Sequence, residues 1–354
     1  MAYTTINKST DHFNTKLYTG DGNNSKAITG VGFQPDWIWI KKRSGAASHV
    51  ISDSVRGVTK TIYTESTSAE LTSDQYGWVS AFGTDGFTTS NTNVGAINEN
   101  GGTYVSWNWK GGGSGSTNND GAVTSTVSAN TTSGFSIVSY TGTGSTTTVG
   151  HGLGAKPSVV IYKQRNTTNA WRMMTDVSGT LKRLYLNATD AEASIIDSST
   201  APTSTVLNIG TGSEVNTSSG TYIAYCFAEK TGYSKFGTYA GNNNTDGTFV
   251  YTGFKPAWIL AKAASGSQTP QNQSWPLWDN KRSSTGGFNE NSYKLYPNAT
   301  DAEATSGIAQ VDILSNGFKF RNSTHQSNST NTYFYMAFAE APLVGSNNIP
   351  ATAR

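Results

Sequence analysis

Apolar residues in this chain recur at alternate positions over short stretches, which is the spacing of half-buried strands. TYVSWNW from Thr103, TYIAYCFAE from Thr221 and TYFYMAFAE from Thr332 show it best. One face carries Val105, Trp107 and Trp109, then Ile223, Tyr225 and Phe227, then Phe334, Met336 and Phe338, and this face is predicted to be core. The opposite face is mostly small, as in Ala224, Cys226 and Ala228, and admits a neighbouring layer. A second kind of stretch, PDWIWIK from Pro35, PSVVIYK from Pro157 and PAWILAK from Pro256, is apolar on both faces. That pattern suits a central strand covered on two sides, with proline at its first position, where a missing N–H costs least. Gly, Asn, Asp and Ser clusters separate the stretches, and helical periodicity is nearly absent. The segments around NATDAEA, 187–193 and 298–304, are predicted to form a helical turn inside a loop.

The stretches come in order and in triplicate. Tyr18, Tyr140 and Tyr239 each precede the proline by 17 residues, and Lys41, Lys163 and Lys262 each follow it by six. Further on come YTESTSAE from Tyr63, YLNATDAE from Tyr185 and YPNATDAE from Tyr296, ending on Glu70, Glu192 and Glu303. Repetition of this kind marks related units stacked along a chain. The expected architecture is all-β: three tandem β-sandwich, jelly-roll-like repeat domains at 1–112, 122–231 and 232–344. A Gly/Ser linker at 113–121 and a tail at 345–354 complete it. Each unit is read as a self-sufficient body, with the second and third packed together across a short join.

Composition changes the picture little. Lys plus Arg number 25 against 23 Asp plus Glu, so a net charge of +2 gives no electrostatic warrant for nucleic acid or an anionic membrane. A lone cysteine, Cys226, forbids an intrachain disulfide and a thiolate metal cage, and reads as a buried thiol. The opening residues lack a basic then apolar leader, and no long apolar span occurs, so a soluble product without a cleaved signal is expected.

The chemistry of the motifs is mostly structural. Asp53, Asp176 and Asp279 precede Glu70, Glu192 and Glu303 by 16 to 24 residues, a carboxylate pair in each copy that glycoside hydrolysis could use. A shared role as turn braces is favoured, because catalytic carboxylates need environments that differ. Arg56 and Arg282 stand three residues after their aspartates, as partners for such a brace. His12, His49, His151 and His325 have no metal-ligand spacing, and no catalytic residue, metal or cofactor is assigned. GHGLG at 150–154 reads as a turn before a strand. The Asx-rich turns at 118–121 and 242–247 complete no calcium loop. Aromatic residues are in surplus, and Trp78, Trp171, Trp275 and Trp278, set among polar neighbours, are candidates for stacking on a sugar face.

DSVRG, SWNWKGGG, VGHGLGAKPSVVIYK, TYIAYCFAEKTGYSKFGTYAGN and DGTFVYTGFKPAWILAK, in that succession, resemble a repeat-domain family of tail-fibre-like and other virion proteins of marine tailed phages. Those phages include ones of cyanobacteria and Pelagibacter-type hosts. The resemblance spans roughly residues 13–345 and implies a non-enzymatic virion protein, a tail-fibre or spike component that touches host-surface glycan. It implies other virion proteins as partners, neither nucleic acid nor membrane insertion, and homo-oligomers, trimeric by analogy with phage fibres. A capsid decoration and a glycan depolymerase are the alternatives. Fibres usually carry an anchoring domain ahead of their repeats, whereas here the repeat starts near Phe13, which suggests a short distal appendage or a decoration.

Overall fold

The computed structural model describes residues 4–90, 95–265, 273–282, 289–305, 310–324 and 326–342. His325 and the tail 345–354 lie outside the described residues. The chain is nearly all β, in several antiparallel sheets. Among the described residues the helices are one 3-10 turn at Ser9–Asp11 and one α turn at Ser213–Asn216.

Three sheets share one strand order. In the first, Phe13–Thr19 pairs with Thr103–Trp109, which pairs with Trp37–Lys42, then Val50–Asp53. In the second, Phe135–Thr141, Thr221–Phe227, Val159–Gln164 and Arg172–Thr175 take the same places. In the third they are Ser234–Ala240, Thr332–Pro342, Phe254–Ala263 and Leu277–Asp279. A smaller sheet accompanies each, built on Lys26–Thr29, Gly86–Ser90 and Trp78–Gly83, on Thr147–Gly150 with Val206–Ile209, and on Phe249–Tyr251 with Gly317–Phe320 and Val311–Leu314.

The doubly apolar stretches now have an explanation. Ile38 and Ile40, Val160 and Tyr162, and Ile259 and Ala261 face the smaller sheet of their own third and form three separate local cores. Trp37 and Trp39, Val159 and Ile161, and Trp258 and Leu260 face the other way, into one cluster fed by all three thirds. The closing strands send their large faces to the same place. Trp109 lies 5.5 Å from Phe338, Phe227 lies 5.9 Å from Phe338, and Trp37 lies 4.8 Å from Tyr225, ring centre to ring centre. The face predicted to be core is therefore core, but it is shared: the thirds are joined about a common apolar centre and are not bodies strung in series.

Three smaller expectations change. Pro35 and Pro157 stand two residues before their strands, whereas Pro256 lies inside Phe254–Ala263, at a break in register that absorbs its missing N–H. The NATDAEA segments make one turn, with the Ala188 N–H donating to the Tyr185 carbonyl and Ala299 to Tyr296, and then run extended toward a neighbouring third. Residues 113–121 are not a loose linker. Ser116–Asn118 is an edge strand on Ser125–Asn130, and the Ser54 hydroxyl donates to the Gly113 carbonyl at 2.6 Å. A side chain at Gly112 would meet the backbone of Ala129 at 2.7 Å, so glycine there serves close approach.

Candidate functional site

The repeated tyrosines pin each third internally. Tyr18, Tyr140 and Tyr239 donate to the carbonyls of Ile97, Val215 and Ser327 at 2.7–2.8 Å. Their rings stack on Tyr104, Tyr222 and Tyr333, within 5.0–5.2 Å and 10–15° of parallel. Those closing tyrosines in turn accept the backbone N–H groups of Glu99, Thr217 and Ser329. The buried hydroxyls are thus satisfied by backbone groups of the loop that precedes each closing strand.

The other repeated residues tie one third to the next, and the ties close a ring. The Lys41 ammonium donates to the carbonyls of Ala47 and Thr300, Lys163 to Asn169 and Thr67, and Lys262 to Gln273 and Thr189. First reaches third, second reaches first, third reaches second. Backbone bonds run beside them, from the N–H of Glu70 to Arg165, of Glu192 to Ala264 and of Glu303 to Arg43. Burial draws the ammonium groups down, Lys41 and Lys163 to about 8 and Lys262 to about 7. Trp171 and Trp275 belong to the same set, their indole N–H groups donating across the seam to the carbonyls of Tyr63 and of Tyr185 and Ala188. His49 holds the matching place in the first third, and its Nδ1 accepts from Trp39. Burial holds its ring well below the usual histidine range.

The carboxylates brace two seams. Asp53 accepts the N–H groups of Val55 and Arg56, and its second oxygen takes the buried Arg56 guanidinium at 2.5 Å. Asp279 does the same with Lys281 and Arg282. Arg56 continues to Glu70, which a second arginine, Arg165 of the next third, grips through two nitrogens at 3.0 Å. Arg282 continues to Glu303, gripped likewise by Arg43 at 2.8–3.1 Å. A donor from across each seam completes the set: the Tyr225 hydroxyl reaches Asp53 at 2.7 Å and the Trp107 indole reaches Asp279 at 2.8 Å. Burial alone would raise Glu70, yet Arg165 and Arg56 hold it below the ordinary carboxylate range. In the remaining seam Gly179, Ala264 and Met336 replace both arginines and the donor. Asp176 there pairs with the half-exposed Lys156, and burial raises Glu192. The paired carboxylates predicted as braces are indeed held in turns and ion pairs at Asp53, Glu70, Asp279 and Glu303, where neither oxygen is open to act as an acid or a nucleophile.

Of the aromatic candidates, Trp171, Trp275 and Trp278 are at most 1 % exposed, so no face of these indoles can meet a sugar. For Trp171 and Trp275 the polar neighbours are the loop carbonyls that receive the indole N–H, whereas the Trp278 N–H is buried without a partner. Trp78 is half-buried at the start of Trp78–Gly83. Cys226 is buried, its thiol pushed up to about 12 by loss of water. Among the described residues no three His, Cys, Asp or Glu side chains gather as a metal group would need, and no helix is long and apolar enough to cross a membrane.

Sequence reasoning missed a cavity of about 490 Å³ on the seam between the first and third thirds. Ala46, Ala47 and Ser48 form one wall, Tyr63 and Tyr76 another, and the ion pair of Lys42 with Glu99 a third, with Thr300 arriving from the neighbour. Tyr76 is 51 % exposed. The trace of this in the sequence is Ala47, where the other copies carry Asn169 and Gln273.

No curated protein and no solved structure matches the chain. A family model matches residues 8–342, across the three main sheets and the seams that close them. The chain therefore belongs to the family described as a domain of unknown function, DUF7483.

Proposed function

We propose that the chain is a non-enzymatic virion structural protein of a tailed phage, a tail-fibre or spike component that contributes to host-surface adhesion. In this reading it consists of three copies of a jelly-roll-like β-sandwich, at 1–112, 122–231 and 232–344, locked as a ring. Its partners are other virion proteins and a host glycan, and assembly into homo-oligomers would multiply weak contacts by avidity. The reading rests on the motif resemblance, and one structural observation supports it most. The residues repeated in triplicate turn inward to the core and the seams, while the loops that differ between copies, at 23–25, 143–146 and 242–246, each joining a main sheet to its smaller sheet, are exposed. A rigid frame presenting variable polar loops suits recognition. Glycan cleavage has less support, because Arg56 and Arg282 bind the carboxylate pairs it would need.

The test is binding of the labelled protein, displayed multivalently on beads, to host cells, together with its location in a reconstruction of the particle. Retention on host cells and density on the tail would uphold the reading. Density between capsid subunits with no retention would replace adhesion by capsid decoration. Release of reducing ends from host polysaccharide would replace it by hydrolysis.

A further inference from the structure

We infer that the cavity between the first and third thirds is a binding site for a neutral saccharide, an inference that rests on the adhesion reading and names its ligand class. The space arises from a local difference between seams. Lys41, Lys163 and Lys262 each donate to one carbonyl of their own third, and this makes Ala47, Asn169 and Gln273 equivalent positions. Where the other two seams carry an amide side chain, this one carries a methyl group. The volume, about 490 Å³, lies within the roughly 300–1,000 Å³ usual for small-ligand pockets.

The walls fix the class of ligand. Tyr76 presents an aromatic ring at the rim, half open to solvent, and its backbone is held by the Ala96 N–H at 2.9 Å. A side chain at Gly95 would meet the Tyr76 carbonyl at 2.2 Å, so the loop that seats this tyrosine needs glycine there. Such a ring suits the C–H face of a pyranose, which is apolar and flat. Beside it the Lys42 ammonium and the Glu99 carboxylate are paired, and each stays partly exposed. Together they offer N–H donors and a carboxylate acceptor at one spot, the complement of neighbouring sugar hydroxyls. Because the two charges cancel, the pocket has no surplus to draw an anion or a cation, and a charged ligand would have to break the pair. Ser48, whose hydroxyl is already bonded to the Glu65 carboxylate, leaves an acceptor oxygen on the wall.

The full chain is mixed with maltotriose, cellotriose and N,N′,N″-triacetylchitotriose in separate saturation-transfer NMR experiments, alongside Tyr76→Ala and Ala47→Asn. Transfer to at least one trisaccharide is expected, falling about tenfold in Tyr76→Ala. The same fall is expected in Ala47→Asn, which installs the amide of the neighbouring seam and is checked for an unchanged unfolding midpoint. No transfer to any of the three, or transfer that persists in both variants, overturns the assignment. Host-cell retention separates this from the broader reading: if wild type and Tyr76→Ala adhere equally, the cavity is not the receptor site and adhesion stands, whereas if neither adheres, adhesion itself fails.

Discussion

Two of the three seams are clasped by an arginine–glutamate–arginine bridge, and the third, between the second and third segments, is not. Glu70 and Glu303 each lie between two guanidinium groups, whereas Glu192 donates its N–H to the Ala264 carbonyl and has Lys182, not an arginine pair, as its nearby cation. The tethers differ in the opposite sense. Residues 228–233 join Thr221–Phe227 to Ser234–Ala240, residues 110–134 separate the corresponding strands of the first and second segments, and the first and third have no direct link. A short tether keeps its two bodies at high effective concentration, so less contact energy is needed to hold them. The clasps occur where the chain leaves the segments free to part, and the seam without one is held by covalent continuity.

The sharpest way to break this contrast is to remove a buried arginine. Arg56→Ala, leaving Asp53 buried without its partner, is expected to lower unfolding stability by about 3–5 kcal/mol in a denaturant titration. Gly179, at the matching position, should tolerate alanine at far smaller cost, although its positive φ adds some strain. Tyr225→Phe deletes the donor to Asp53 and should cost about 1–3 kcal/mol by the same measurement. Met336→Leu, at the equivalent place in the unclasped seam, should cost under about 1.5 kcal/mol.

Proton linkage offers a gentler test. Lys262 titrates near 7 in the folded chain and near 10.4 when unfolded, so between those values the unfolded state holds more protons and stability rises with pH. Lys262→Met should flatten that rise, by roughly 3 kcal/mol between pH 7 and 9.5 in unfolding curves. The two glutamates should respond with opposite signs. The contribution of Glu70, whose folded value is depressed, is present above its unfolded value and lost as acid protonates it. The penalty carried by Glu192, whose value is raised, disappears as pH falls through that value. The smallest effect is expected from Ala264→Arg, which supplies the missing clasp. It should stabilise by no more than about 1 kcal/mol, and carboxyl NMR should show the Glu192 titration moving downward.

Much of the fold is legible in the sequence because period-two patterning reports burial directly. Val105, Trp107 and Trp109 are core as their alternation predicts, and Ile38 and Ile40 are covered on the other face. What covers a face is not encoded in the same way. A residue buried against its own smaller sheet and one buried against a neighbouring segment look alike, and so Trp37 and Phe338 gave no sign that they meet in a shared centre. Trp171 and Trp275 mislead for a related reason. Trp171 and Trp275 have polar neighbours because an indole N–H crossing a seam needs a carbonyl to receive it, and this resembles a sugar site when read along one strand of sequence. Arg43 and Arg165 carry no such signal, because the third copy has Ala264 in their place and their glutamates lie far away in the chain. The brace role of Asp53 and Asp279 was readable, since the arginine that completes it is only three residues on.

The stacking of Phe13 on Phe338, 5.6 Å apart, brings the first strand and the last against each other at the centre of the molecule. Tension applied between these two ends would act on that contact and on the pairing of the edge strand Phe13–Thr19 with Thr103–Trp109 together. A linear string of sandwiches would lengthen one bead at a time under such a pull, but a closed circuit resists as a single body until its latch gives way.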